Sequence, residues 1–225
     1  MTDAARTDFS TDDTKAAVKR AILLNEYLLR RAWGILYLAL SLSMFLSTFG
    51  TPIVNSLVSI GYASLVAVDM TASGCGIAAI LWAFKRVRNA AEITHPEDNP
   101  AWSRLLGYRF LVPLWISLNV LVILTIALAS AHLALVVLLI HLGVAVYAYY
   151  ALRLSFSGKI PVEAVIAIGS LALSSIASLA LLSIVTRPGP YALLWGATIV
   201  AWIFSGVYAR SRPVPEFNEE RTGLE

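Results

Sequence analysis

The chain has 225 residues, of which 58% are apolar and 14% are charged. A globular protein usually has about 25% charged residues, so this composition excludes an ordinary soluble domain and predicts that most of the chain lies in lipid. The single cysteine excludes an intramolecular disulfide and a multi-cysteine metal site. The net charge of +3 does not indicate nucleic-acid binding, because the basic residues flank apolar segments and do not form a stripe with interleaved aromatic residues.

Residues 1–31 are predicted to form a cytoplasmic N-terminal segment. Positions 10–13 (Ser-Thr-Asp-Asp) are typical of a helix start, with a hydroxyl cap and acidic residues in the first turn. Val18 and Ile22 then follow at helical spacing, opposite Lys19. Two interpretations stay open: an amphipathic helix that lies on the inner membrane surface, or an extension of the first membrane helix into the cytoplasm.

Six apolar runs follow, each long enough to cross a bilayer, which takes about 20 residues. The third and fourth runs are joined in one stretch about twice that length, so this stretch is predicted to fold back at the polar break Ser130–His132. The predicted spans are Ala32–Phe49, Leu57–Phe84, two within Phe110–Leu152, a fifth between Pro161 and Thr186, and a sixth from Tyr191 to Ala209.

The basic residues predict how these spans are oriented. With the amino terminus inside, all of the 17 Lys and Arg residues except Arg187 fall on the cytoplasmic side, where such residues are enriched. We therefore predict an all-α integral membrane protein of the cell membrane. Its transmembrane domain, residues 32–209, is a six-helix bundle of three hairpins with both termini cytoplasmic, followed by a disordered cytoplasmic tail over residues 210–225.

The signatures of soluble enzymes and of cofactor sites are missing. The chain has no phosphate-binding glycine loop, no Gly-x-Ser-x-Gly and no His-Glu-x-x-His. His132 and His141 are nine residues apart and therefore lie on opposite sides of one helix, which disfavours a haem held by both. Cys75 lies among small residues that favour close helix packing. We predict no catalytic residue, cofactor or metal site, and an enzyme ranks below the functions considered next.

Four polar residues near the middle of their spans are the candidate substrate- or ion-binding residues: Asp69, Asn119, His141 and Ser174. A carboxylate at this depth costs several kcal/mol unless it is neutral, paired or hydrated, so Asp69 is expected to face protein or water. The functional interpretation is a proton- or ion-coupled site. The structural interpretation is that these residues hydrogen-bond the helices together.

Stripes of small residues predict where the helices pack closely. From these features we predict a small transporter or channel subunit with a mid-membrane polar site. The alternative is a non-catalytic anchor or assembly subunit of a larger complex. The expected partners are the lipid bilayer and other membrane subunits or further copies of this chain. The stripes are Ala63, Ala67, Thr71, Cys75 and Ala79; Ser170, Ser174 and Ser178; and Ala197, Ala201, Ser205 and Ala209.

Overall fold

The computed structural model describes residues 11–57, 61–94, 131–156, 159–182 and 189–213. Within these ranges every regular element is a helix, which confirms the all-helical prediction. The elements are α1 (Thr11–Phe45), a π-helical turn (Leu46–Gly50), α2 (Thr51–Leu57), α3 (Tyr62–Thr94), α4 (Ala131–Ser155), α5 (Val162–Leu181) and α6 (Gly189–Ser211).

Helix α1 is continuous over 35 residues, from the N-terminal segment through the first predicted span. At about 1.5 Å per residue it is about 52 Å long, against about 30 Å for the hydrocarbon core of a bilayer. The described side chains before Asn25 are exposed, and Leu29 is the first that is buried. A continuous helix is compatible with the second interpretation, a first membrane helix that extends into the cytoplasm, and the choice between the two interpretations stays a prediction.

The connection after α1 is more helical than the sequence indicated. A break was expected at Gly50–Pro52, after a first span that ends at Phe49. Instead α1 ends at Phe45, and a π-helical turn leads directly into α2. Pro52 lies in the first turn of α2, where a proline is tolerated because the N–H that it lacks would have no helical partner.

Helix α3 ends ten residues beyond the predicted second span. It begins at Tyr62 and ends at Thr94, whereas the apolar run was expected to end at Phe84. Lys85 and Arg86 lie inside the helix because Lys and Arg are good helix formers. The end of an apolar run therefore indicates where the chain leaves the hydrocarbon core. It does not indicate where the helix ends.

The later helices begin close to where the sequence predicts. Helix α4 begins at Ala131, within the predicted break, and α5 begins directly after Pro161. The Pro161 carbonyl accepts the N–H groups of Ala164 and Val165 at 3.0 and 3.1 Å, which closes the first turn of α5. Helix α6 contains the whole of the sixth predicted span.

Four of the described helices are long and apolar enough to cross a membrane. They correspond to the first, fourth, fifth and sixth predicted spans. Helix α3, which contains most of the predicted second span, is not among these four. The predicted third span, which carries Asn119, lies within residues 95–130, outside the described residues, so the count of six stays a prediction. Residues 214–225 of the predicted tail also lie outside the described residues. The four helical stretches are Thr14–Gly50, Ala134–Arg153, Val162–Leu181 and Pro190–Ser211.

Helix α1 packs against both α3 and α6, and α5 packs against both α4 and α6. The α1–α6 contact is a close approach of two glycines. A Cβ atom on Gly206 would lie 2.8 Å from the carbonyl oxygen of Gly34 and 2.6 Å from Cγ of Leu38, while a Cβ on Gly34 would lie 3.0 Å from Cβ of Ala209. The two helices therefore run antiparallel and touch backbone to backbone.

The predicted packing stripes are correct in part. Ser174 and Ser178 of α5 are buried, as are Ser205 and Ala209 of α6. Ala197 is exposed, because the α6 face that meets α1 and α5 is rotated from the predicted stripe and includes Gly206. In α3 the face that meets α1 contains the buried Gly76, Ala83 and Val87, whereas Ala67, Thr71 and Cys75 of the predicted stripe are exposed.

Candidate functional site

One end of the bundle is marked by arginines paired with aromatic side chains, and we call it the arginine end. The pairs occur in α1, α3 and α6, and such residues are typical of a membrane interface. Helix α3 returns from the connection at the far end of α1, so its pair lies at the same end as the other two. The Arg31 guanidinium donates to the Tyr27 hydroxyl at 2.9 Å, that of Arg212 donates to the Tyr208 hydroxyl at 3.1 Å, and that of Arg86 lies 5.3 Å from the Trp82 ring centroid.

Ser174, a predicted site residue, joins α5 to α6. Its hydroxyl lies 2.6 Å from the Thr198 hydroxyl and donates to the Leu194 carbonyl at 3.1 Å. The Thr198 hydroxyl also lies 3.4 Å from the Ser170 carbonyl. The Thr198 hydroxyl also lies 3.3 Å from the Leu194 carbonyl of its own helix. Both hydroxyls are buried and form hydrogen bonds between α5 and α6, which stabilise the contact of these helices.

His141, a second predicted site residue, lies in α4. It contacts α6 at Trp195, the residue next to the Leu194 carbonyl that Ser174 contacts. Its Nδ1 atom is 2.8 Å from the Val137 carbonyl, and its ring centroid is 5.0 Å from that of Trp195. Because a carbonyl oxygen only accepts, Nδ1 is the donor, which leaves Nε2 free to accept a hydrogen bond in the neutral ring. His141 therefore contacts α6 through its ring while its first nitrogen bonds to its own helix.

The other two predicted site residues are not joined to this pair by any described contact. Asp69 lies in α3, and its side chain lies outside the description, as does the whole of Asn119. Among the described helices, α3 packs mainly against α1, whereas His141 and Ser174 lie where α4, α5 and α6 meet. No described contact joins His141 directly to Ser174. Both contact neighbouring residues of α6, His141 at Trp195 and Ser174 at Leu194.

A second polar cluster lies nearer the arginine end and contains a carboxylate. Glu163, in the first turn of α5, has an exposed fraction of 2%, and neither of its carboxylate oxygens has a hydrogen-bond partner among the described residues. Glu163 is not among the predicted site residues, because an acidic residue near the start of a helix is ordinary. The stripe of Ser170 and Ser174, continued back along the same face, reaches Ala167 and then Glu163, and this periodicity could have identified it.

Helix α6 places Ser205 level with Glu163. The indole N–H of Trp202 donates to the Ala167 carbonyl at 2.8 Å, which sets the antiparallel register of α5 and α6. Three residues beyond Trp202 toward the arginine end is Ser205, and four residues beyond Ala167 in the same direction is Glu163. These steps keep each residue on the face that meets the other helix. Ser205 is fully buried, and its hydroxyl has no partner in the described structure.

Helix α1 supplies Tyr37 and Trp33 to the same cluster. Tyr37 lies three residues beyond Gly34 in α1, and Gly34 approaches Gly206, which is next to Ser205 in α6. The Tyr37 and Trp33 ring centroids are 6.1 Å apart, and both side chains belong to the apolar cluster that contains Ala164 and Trp202. Within the described residues, the Tyr37 hydroxyl and the Trp33 indole N–H are buried without a hydrogen-bond partner. We call Glu163, Tyr37, Trp33 and Ser205 the Glu163 cluster.

The electrostatic setting of Glu163 is unusual. A buried carboxylate is costly unless it is paired, hydrated or neutralised. The start of α5 offsets part of the cost, because the helix dipole favours a negative charge there. Arg30 lies two turns from Tyr37 toward the arginine end, but its guanidinium donates to Glu26 at 3.1 Å. No described basic group forms an ion pair with Glu163, and its two carboxylate oxygens stay without a described partner.

The cluster offers one carboxylate, two hydroxyl oxygens and one indole N–H, all of them buried on α1, α5 and α6. Over the described residues, no three His, Cys, Asp or Glu side chains come together as a transition-metal site would require. The carboxylate and the two hydroxyl oxygens can coordinate a small positive charge, whereas the indole N–H can only donate a hydrogen bond. The cluster lacks a described nucleophile and base in contact, which covalent catalysis would require.

These features define the class of protein: a helical bundle with at least four helices able to cross a membrane and with polar side chains between its helices. No protein-family model, curated protein or solved structure matches the chain.

Proposed function

We propose that this chain is a multi-pass protein of the cell membrane with six transmembrane helices in three hairpins and both termini inside the cell. The four described spans support this topology, together with the near-complete separation of basic residues along the sequence. The arginine end is the cytoplasmic end in this proposal, because Lys and Arg are enriched on that side.

Cysteine labelling tests the topology. In a Cys75→Ser background, a membrane-impermeant reagent added to intact cells should label Asn55→Cys and should not label Lys159→Cys until the membrane is opened. The reason is that position 55 follows α1 at the end opposite the arginines, whereas position 159 directly precedes α5 at the arginine end. Labelling of Lys159→Cys in intact cells would overturn the orientation.

Within this topology we propose that the protein is a small transporter or channel subunit that moves a cation. The observation that carries the proposal is the Glu163 carboxylate, which is buried in the bundle with no described partner. Ionisable residues inside a membrane are rare and generally mark ion pathways or proton relays, because an unpaired charge is costly there. Asp69, predicted to lie in mid-membrane, is a second point on such a path.

The flux of the reconstituted protein tests this function. Purified wild-type protein in vesicles should carry a cation-dependent flux down a gradient of H⁺, Na⁺ or K⁺. Glu163→Gln should fold and abolish that flux, because the amide keeps the shape of the side chain and removes its charge. Asp69→Asn should do the same if it lies on the path. The matched control is Glu26→Gln, which removes a carboxylate of α1 that is already paired with Arg30.

The flux measurements distinguish the transport function from the alternative, a non-catalytic subunit. Unchanged flux in both Glu163→Gln and Asp69→Asn, or no flux in the wild type for any of the three cations, would overturn the transport proposal. The alternative, a non-catalytic anchor or assembly subunit, would then lead. One observation favours it: the α3 face formed by Ala67, Thr71, Gly74 and Cys75 is exposed, and small residues permit close approach of another helix.

A further inference from the structure

We propose that the Glu163 cluster binds one small monovalent cation, a proton or an alkali ion, with the Glu163 carboxylate as its charge partner and the Tyr37 and Ser205 hydroxyls as neutral co-ligands. This inference rests on the proposed transport function, since it names the class of ion and the residues that hold it. It follows from the sign of the charge, the number of ligands and the position of the cluster.

The charges around Glu163 indicate that the bound species is positively charged. The carboxylate is the one acidic group of the cluster, and the remaining members are neutral. On α1, one guanidinium nitrogen of Arg30 donates to Glu26, and the Arg30 Nε atom is buried without a described partner, two turns from Tyr37. The carboxylate would repel a bound anion. It would attract a bound cation, and this attraction is strong in a region of low dielectric. The titratable groups on the neighbouring helices toward the arginine end are Glu26, Tyr27, Arg30, Arg31 and Tyr37 of α1, Tyr147, Tyr149, Tyr150 and Arg153 of α4, and Tyr208, Arg210 and Arg212 at the end of α6.

The number of ligands favours a single positive charge. Calcium takes six to eight oxygen ligands, commonly from several carboxylates, and magnesium demands six in a nearly ideal octahedron. The Glu163 cluster supplies two carboxylate oxygens and the hydroxyl oxygens of Tyr37 and Ser205. One negative charge balances one positive charge, so a proton or an alkali ion fits this set better than a divalent ion does.

The position of the cluster indicates the side from which the ion enters. Tyr37 is six residues along α1 from Arg31, and Ser205 is seven residues along α6 from Arg212. At about 1.5 Å per residue, both lie about 10 Å inside the arginine end. This is about a third of the way across a hydrocarbon core of about 30 Å. A cation bound here is therefore close to the arginine end and far from the opposite surface.

Thermal unfolding of the purified full-length chain in lipid nanodiscs tests the inference directly. A ligand that binds only the folded state raises the unfolding midpoint with its concentration. The midpoint is measured in NaCl, KCl or choline chloride at constant ionic strength, and separately across pH. A rise with Na⁺ or K⁺ at constant pH identifies an alkali ion. A dependence on pH alone identifies the proton. In both cases Glu163→Gln should lose the dependence.

Matched variants separate binding from general destabilisation. Tyr37→Phe and Ser205→Ala each remove one hydroxyl, so they should shift the ion or proton dependence severalfold along the concentration axis. Ser178→Ala also removes a fully buried hydroxyl without a described partner, but one that lies about four turns along α5 from Glu163. It should leave the dependence unchanged, as should Glu26→Gln.

The inference is overturned if Glu163→Gln keeps the same Na⁺, K⁺ and pH dependence as the wild type. If Glu163→Gln does not fold, the decision rests on Tyr37→Phe and Ser205→Ala, and an unchanged dependence in both would overturn it equally. The two proposals fail separately. Ion-dependent stability that needs Glu163, found in a protein without flux, would leave the binding site standing and overturn transport alone.

Discussion

Replacement of Gly206 by leucine is expected to destabilise the bundle by about 3 kcal/mol, the upper part of the range for overpacked sites. The cause is the close approach of α1 and α6 at Gly34 and Gly206. The carbonyl oxygen of Gly34 is only 2.8 Å from where a Cβ at position 206 would lie. A backbone atom cannot move aside as a flexible side chain can, so the two helices must separate.

The control for this prediction is Gly169 of α5, around which a Cβ atom would meet nothing within 4 Å. Alanine at position 169 should leave the free energy of unfolding unchanged or raise it by up to about 1 kcal/mol, because alanine favours a helix more than glycine does. Alanine at position 206 should lower it. Unfolding in mixed micelles with increasing denaturing detergent measures both. Equal changes in the two alanine variants would show that Gly206 does not lie at a close crossing.

Replacement of Gly76 by leucine is expected to weaken the contact between α1 and α3 by about 2–3 kcal/mol, for the same physical reason. A Cβ atom at position 76 would lie 2.9 Å from Cβ and 3.0 Å from Cα of Ser43, a residue that is itself buried. A leucine side chain would therefore force α3 away from α1. The loss should appear in the same unfolding measurement.

Gly74 is the matched control for Gly76, because it lies two residues away in the same helix and a Cβ there would meet nothing within 4 Å. Gly74→Leu should leave the described α1–α3 contact intact, and the difference between the two leucine variants isolates the helix crossing from any change in helix propensity. A Gly74→Leu variant as unstable as Gly76→Leu would contradict the packing of α3 on α1. It would also indicate that the exposed face of α3 is covered by a partner.

The sequence by itself determined the helical class and the position of the described apolar helices. These are local properties. A segment in lipid must satisfy every backbone hydrogen bond internally, so about 20 consecutive apolar residues suffice to predict a helix there. The start of α5 after Pro161 could also be predicted from the sequence, because a proline is suited to a helix start. The extent of α1 and α3 beyond the apolar runs could not be predicted in this way, since a helix continues through polar residues of high helix propensity.

The contacts of the predicted site residues depend on more than their depth in the membrane. The sequence placed Ser174 and His141 at similar depths, but only the packed helices showed that the Ser174 hydroxyl bonds with Thr198 and that the His141 ring contacts Trp195. Depth along a helix follows from counting residues. The direction that a side chain faces, and therefore its partner, depends on the rotation of each helix about its axis.

Only the tertiary structure placed Glu163, Tyr37 and Ser205 at a similar level of the bundle. These residues lie far apart in the sequence, and none forms a motif with its neighbours. Two contacts set their common level: the hydrogen bond from Trp202 to Ala167, and the approach of Gly34 to Gly206. Composition and apolar periodicity determine which segments enter the membrane. The register between helices depends instead on side-chain packing and interhelical hydrogen bonds, and no single segment of the sequence contains both partners of such a contact.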